Sequence, residues 1–411
     1  MKNLLIIGFI WPEPNSTAAG SRMLQLIAFF LENGFTITFI CTASKTKESF
    51  DLEKLGVKII DILLNDSSFD SLVKRINPDL VLFDRFLTEE QFGWRIAENC
   101  PDAIRILDSE DLHFLRNARQ VAYKNNEKVD LKQLTSDLAK REIASIYRCD
   151  LTLIISKYEM KLLKKTFKID KSLLHYVTFL LNKVNPETIL SYPTFKNRNH
   201  FITIGNFKHE PNWNSVQYLK TDIWPLIREK LPEAEMHIYG AYATEKVHHL
   251  HNKKDGFLIK GWAENVEVVF KNARVCLAPL QFGAGLKGKL IDAMKYGTPS
   301  VTTNIGAESM SDKLPWNGFI ADDPNEFALK SVELFTDENL WKNAQQNGFE
   351  IINYCFSKEK HEIKLLNKIT ALQINLVEHR LKNFIGSLLM HHSLQSTKYL
   401  SKWIEAKNKL L

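Results

Sequence analysis

"PLQFGAGLKGKLIDAMKYGTPSVTT", residues 279–303, places four residues between Gly283 and a Gly288–Lys289 pair. That spacing is close to the Gly-x-x-x-x-Gly-Lys-Ser/Thr loop that wraps nucleotide phosphates, but Leu290 stands where the metal-binding hydroxyl of such a loop belongs. The apolar run "RVCLAPL" (274–280) precedes the stretch and "PSVTT" (299–303) closes it, so it reads as strand, glycine-rich turn, helix and strand. Gly283 and Gly285 let the backbone turn with amides pointing outward, and a helix is predicted from about Leu286 to Gly297, which terminates it. A helix start after small residues collects unpaired N–H groups and the positive end of the helix dipole, which is an anion site. Lys287 and Lys289 add charge there, and Asp292, three residues beyond Lys289, shares its helical face within reach of a ribose attached to the bound phosphate. The spacing alone leaves open a plain strand-to-helix turn with solvated lysines.

Outward from this stretch, short apolar runs alternate with helical patterns. "LLIIGFI" (4–10), "TITFIC" (36–41), "VKIIDI" (57–62), "DLVLFD" (79–84), "AIRIL" (103–107) and "LTLIIS" (151–156) come first. "FITIG" (201–205), "MHIYG" (236–240), "GFLIKG" (256–261) and the two strands around the opening loop follow. Continuous apolar strands suit parallel sheets covered on both faces. Between the two sets, "NKVNPETILSYPTFKNRNH" carries two prolines and no periodicity, which marks a linker. The expected organisation is a first domain over 1–182, a linker over 183–199, a second domain over 200–370 and basic amphipathic helices over 371–411. Two α/β units in tandem imply two doubly wound sheets facing across a cleft, with ligands beyond the carboxyl ends of the strands.

Composition sets further bounds. The 411 residues, 45% hydrophobic and 25% charged, are enough for two cores. No apolar run is long enough to span a bilayer, and "MKNLLIIGFIWPEPNS" reads as a first strand rather than a leader. Five scattered cysteines without Cys-x-x-Cys spacing predict a reducing compartment and no structural metal. A net charge of +6 is modest and points to no nucleic-acid partner. It is concentrated late: from Glu378 onward Arg380, Lys382, Lys398, Lys402, Lys407 and Lys409 face only Glu378 and Glu405, while Leu381, Phe384, Ile385, Leu388 and Leu389 recur at helical spacing.

The block "RVCLAPLQFGAGLKGKLIDAMKYGTPSVTTNIGAE" (274–308) resembles the donor-binding segment of the group 1 glycosyltransferases (family 4, retaining, GT-B fold). "GFIWPEPNSTAAGSRM" resembles their amino-terminal loop and "FITIGNFKHEPNWNSV" the first strand and loop of their second domain, so the likeness runs from residue 1 to about 370. The resemblance implies two Rossmann-like domains, with the final helix returning to the first. It also implies a UDP- or GDP-sugar held mainly by the second domain, a glycan or lipid-linked acceptor held mainly by the first, and transfer with retention and without metal or other cofactor. By the same resemblance Asp292 holds the ribose hydroxyls, and Gly283, Gly285 and Lys289 stabilise the leaving diphosphate. Two departures stand out. Ala284 replaces a glutamate that many members use on the donor sugar, and Asn206 and Pro211 replace a basic pair, leaving Lys208 as the substitute diphosphate contact.

In the first domain, "ILDSEDLHFLR" (106–116) also ends at the cleft, and by resemblance His113, or else Asp111, touches the reacting sugar. Gly20 and Arg22 open the first helix, where an amide and a guanidinium are expected to face donor phosphates. Trp262 is placed beside the nucleobase. The late basic helix has two readings, packing on the first domain and peripheral binding to an anionic membrane surface at its inner, cytoplasmic face. Two other functions share the fold: a nucleotide-sugar epimerase, and a transferase-like subunit that binds without turnover.

Overall fold

The computed structural model describes residues 2–409, with the side chains of 392–395 outside that description. The first sheet contains β1 (Lys2–Gly8), β2 (Phe35–Cys41), β3 (Lys58–Asp61), β4 (Leu80–Asp84), β5 (Ile104–Asp108), β6 (Leu151–Ile154) and β7 (Leu174–Tyr176). The second contains β8 (Asn199–Ile204), β9 (Met236–Tyr239), β10 (Phe257–Gly261), β11 (Ala273–Ala278), β12 (Ser300–Thr302) and β13 (Gly318–Ile320). Their orders, β3-β2-β1-β4-β5-β6-β7 and β10-β9-β8-β11-β12-β13, are the same doubly wound pattern twice. Pairing within each sheet is parallel, with Ile6 flanked by Phe39 and Leu82 in the first.

Alternate residues of each strand feed opposite cores, as the two-residue period of a strand requires. Leu4, Ile6, Leu80 and Leu82 pack on one face of the first sheet, and Leu5, Ile7, Val81 and Phe83 on the other. In the second sheet Val275 and Leu277 face one core while Cys276 and Ala278 face the other. Strand order reverses between β1 and β4 and between β8 and β11, so the loops after these strands open toward a shared cleft.

Three expectations are corrected. Two strands, β7 and β13, escape the sequence pattern, since each is three residues long and lies at a sheet edge. The loop helix begins at Gly288, two residues later than Leu286, with Lys287 still extended as its N-cap.

After the helix Glu338–Cys355 the chain crosses back at Ser357, which bridges to Leu181, and enters the helix Lys358–Lys382. Leu365, Ile369 and Leu372 of that helix join the same core as Leu4 and Ile6. Arg380 locks it down through two 2.8 Å bonds to the carboxylate of Asp150. A final helix, Phe384–Asn408, folds against the first domain: Asn383 donates to the Tyr147 carbonyl at 2.7 Å, and Glu405 pairs with Arg95. The packing reading of the late basic segment therefore holds over the described residues; Leu410 and Leu411 of that segment lie outside them.

Candidate active site

The cleft holds a cavity of about 510 Å³ lined by both domains. From the second domain come Lys208 and His209 after β8, Gly283, Ala284 and Lys287 of the loop after β11, and Lys289 and Asp292 of the following helix. From the first come Phe9 after β1, Arg85 after β4, and Glu110, Asp111, His113 and Arg116 after β5.

Lys289 and Asp292 sit one helical turn apart, both lining the cavity, and neither has a hydrogen bond or ion-pair partner among the described residues. Burial acts on each in the direction that disfavours its charge. It lowers the Lys289 ammonium to about 8 and raises the Asp292 carboxyl to about 6, Lys295 only partly opposing the latter. Two ionisable groups desolvated without partners, aimed into one cavity, are the mark of a site built for a polar ligand.

Lys287 behaves differently. Its ammonium turns back on the loop, donating to the Gly285 carbonyl at 2.9 Å, so it holds the loop's shape at the cavity wall. Burial pulls it down to about 8. Gly285 has φ +61°, and its N–H donates to Glu159 Oε1 of the first domain at 2.9 Å; this amide is committed across the cleft, contrary to its expected service to a diphosphate. Gly283 keeps its place on the cavity wall, while its carbonyl accepts from Arg119 at 2.8 Å. Arg119 also forms a two-pronged pair with Glu308 of the second domain, at 2.8 and 2.7 Å. Glu159 and Arg119 thus clamp the glycine loop from the opposite domain. Tyr242, which donates to both oxygens of Glu13 at 2.9 and 2.7 Å, adds a third tie. The ammonium of Lys208 lies 3.6 Å from the centre of the Tyr242 ring, at the rim of the cavity.

On the first-domain wall, His113 begins a helix and packs edge-on against Phe86, with its Nε2 3.7 Å from Asp111. Burial drives its imidazole down to about 4, against the pull of Asp111, so it is neutral at physiological pH. Asp111 is the opposite case. Burial works to raise it, but Arg116, in direct ion-pair contact, and His113 hold it below the usual carboxylate range. Arg85 and Glu110 were not expected from the sequence. Both are non-glycine residues at positive φ, +68° and +62°, conformations that cost energy and concentrate at functional sites. Burial and the nearby Asp108 push Glu110 to about 8, and its Oε1 has no partner. His209, likewise unexpected, is lowered by burial to about 4.

Three further expectations do not survive. Arg22 is buried inside the first domain, bonded to Asp108 at 2.9 Å and to the carbonyl of Val177, and does not reach the cleft. The Gly20 N–H is taken by Thr17 Oγ1, and a Cβ at Gly20 would lie 2.5 Å from the Glu13 backbone, so this glycine serves close packing of the loop on its helix. Trp262 is a solvent-exposed side chain outside the cavity lining.

Residues 198–337 match the family described as Glycosyl transferases group 1. No curated protein sequence matches the chain. Among solved structures, sucrose-phosphate synthase from Thermosynechococcus elongatus superposes with a TM-score of 0.69 at 14% identity, over 90% of this chain and 99% of that one. HepE of Anabaena, solved with UDP and glucose, gives 0.66 at 12% identity, over 90% and 100%. TarM of S. aureus, in a complex with UDP, also gives 0.66 at 12%, over 90% and 99%. At these identities the superpositions speak for the fold. Residues 198–337 are thus a group 1 glycosyltransferase domain, carried in a chain with the two-domain GT-B fold.

Proposed function

We propose that this chain is a retaining, metal-independent glycosyltransferase that moves a sugar from a UDP- or GDP-sugar to a hydroxyl of a glycan or lipid-linked acceptor, working at the cytoplasmic face of a membrane. The observation that carries this is the Lys289–Asp292 pair, unpartnered and lining the cavity on one turn of the loop helix. On this reading the Asp292 carboxylate accepts hydrogen bonds from the ribose hydroxyls. Lys289 faces the diphosphate, where negative charge grows as the bond from the anomeric carbon to the diphosphate oxygen breaks. A fixed ammonium in a water-poor site lowers that barrier most where the charge develops. The acceptor hydroxyl bonds to the same face of the anomeric carbon and yields its proton to the departing diphosphate. Neutral His113 and protonated Glu110 line the acceptor side and can each donate a hydrogen bond to sugar oxygens. The match of residues 198–337 to a transferase family favours transfer over epimerisation or binding without turnover.

A ligand that binds the folded state raises its apparent stability, so a thermal-shift panel tests the reading directly. UDP or GDP is expected to stabilise the chain without added metal, and incubation with the matching sugar donor should release nucleoside diphosphate with the anomer retained. Stabilisation by ATP with magnesium alone, or epimerisation at C2 of the sugar, would refute it.

A further inference from the structure

The bend between the last two helices carries an apolar surface that the protein itself does not cover. Ile374, Val377 and Leu381 project from the outer side of the helix Lys358–Lys382, and Phe384, Ile385 and Leu388 continue the line on the first turns of Phe384–Asn408. All six are between 49% and 75% exposed. The inner sides of the same helices do the packing, through Leu372 and Arg380 on one and Gly386 and Ser401 on the other. Large apolar residues turned to solvent along the outer side of helices that are already packed on their inner side form a patch of the kind that marks an interaction site.

Charge identifies the occupant. Exposed Lys382 lies within the stripe and exposed Lys402, Lys407 and Lys409 carry positive charge along the far end of the final helix, while the two acids of the segment are already paired, Glu378 with Lys382 and Glu405 with Arg95. Two copies meeting through this face would bring like charges together. An anionic bilayer surface attracts them while the aromatic and aliphatic residues enter the headgroup boundary, where Trp403 and Tyr399, also exposed, are at home. No helix among the described residues is long and apolar enough to cross a membrane, so the contact is made from one side. We infer that the bend between these two helices is the membrane-docking surface of the molecule, an interfacial wedge that lays the first domain against anionic lipid. This deepens the peripheral location proposed above and names its residues.

The test is co-sedimentation of the full chain with vesicles of phosphatidylglycerol and phosphatidylcholine, alongside light scattering. The wild type should pellet with anionic vesicles and much less with purely zwitterionic ones. The double variant Phe384→Glu/Leu388→Glu should lose about tenfold or more in partitioning, because both apolar anchors become charged. Its UDP-induced thermal shift should be unchanged, since neither residue approaches the cleft. Wild-type protein that stays in the supernatant, or a double variant that binds as well as wild type, overturns the inference. So does a wild-type dimer that the double variant dissociates without any vesicle binding. None of these outcomes touches the transferase reading, which fails separately if no nucleoside diphosphate shifts the melting of either protein.

Discussion

On the reading proposed above, Asp292 and Lys289 carry opposite requirements for the same ligand. The carboxyl must be ionised to accept from two ribose hydroxyls; because it is raised to about 6, that capacity is lost as pH falls through 6. The ammonium must be protonated to meet the diphosphate; because it is lowered to about 8, attraction is lost as pH rises through 8. Affinity for UDP or GDP, measured calorimetrically from pH 5 to 9, is therefore expected to form a plateau between two falling limbs. Asp292→Asn should abolish the acid limb and weaken binding about tenfold or more at pH 7, as loss of hydrogen bonds to a charged group does. An acid limb that persists in the variant would assign it to another carboxyl. This pair was legible in the sequence because both residues lie on one helical turn. Arg85, Glu110, His209 and Arg116 were not, since they converge on the cavity from the segments after β4, β5 and β8, which lie in two domains. Arg22 misled for the converse reason: an arginine opening a helix looks like an anion contact until the buried Asp108, 86 residues away, is seen beside it.

At the scale of elements, the glycine loop is shaped from both sides. Lys287 ties its carbonyls from within, and Glu159 and Arg119 hold it from across the cleft. Gly285 leaves no room in this closure, for a Cβ there would sit 2.7 Å from the Cβ of Asp111 while the backbone has φ +61°. Gly285→Ala is expected to keep the two domains apart. Small-angle scattering should show a larger radius of gyration than wild type, and turnover should fall about a hundredfold while nucleoside binding by the second domain changes little. An unchanged radius with intact turnover would mean that the loop adjusts without opening. The alternation of apolar runs revealed eleven of the thirteen strands, and the two missed are three-residue edges whose identity comes only from a neighbouring strand. The loop helix was foreseen too early because nothing in "GLKGK" signals that Lys287 spends its side chain on the loop behind it.

At the scale of the molecule, the first domain is completed by residues far from it in sequence. Leu365, Ile369 and Leu372 are buried in its core, and three such side chains represent roughly 5–9 kcal/mol at about 1.5–3 each. That is comparable with the whole stability of an ordinary domain, about 5–15 kcal/mol. A chain ended after Phe356 is expected to lose the cooperative melting of the first domain in calorimetry and to keep a transition for the second that UDP or GDP still shifts; two intact transitions would show that the helix Lys358–Lys382 is dispensable. The basic, apolar character of this region was readable from the sequence, whereas its division into a packed side and an open side depends on which neighbours it meets.

The return of the chain at Ser357 also imposes an order on synthesis. All seven strands of the first sheet have left the ribosome by Tyr176, but the helix that completes the core shared by Leu4, Ile6 and Leu80 emerges only after the entire second sheet. Until that helix is made the nascent first domain carries an open apolar face, so the second domain has to fold beside an unfinished partner.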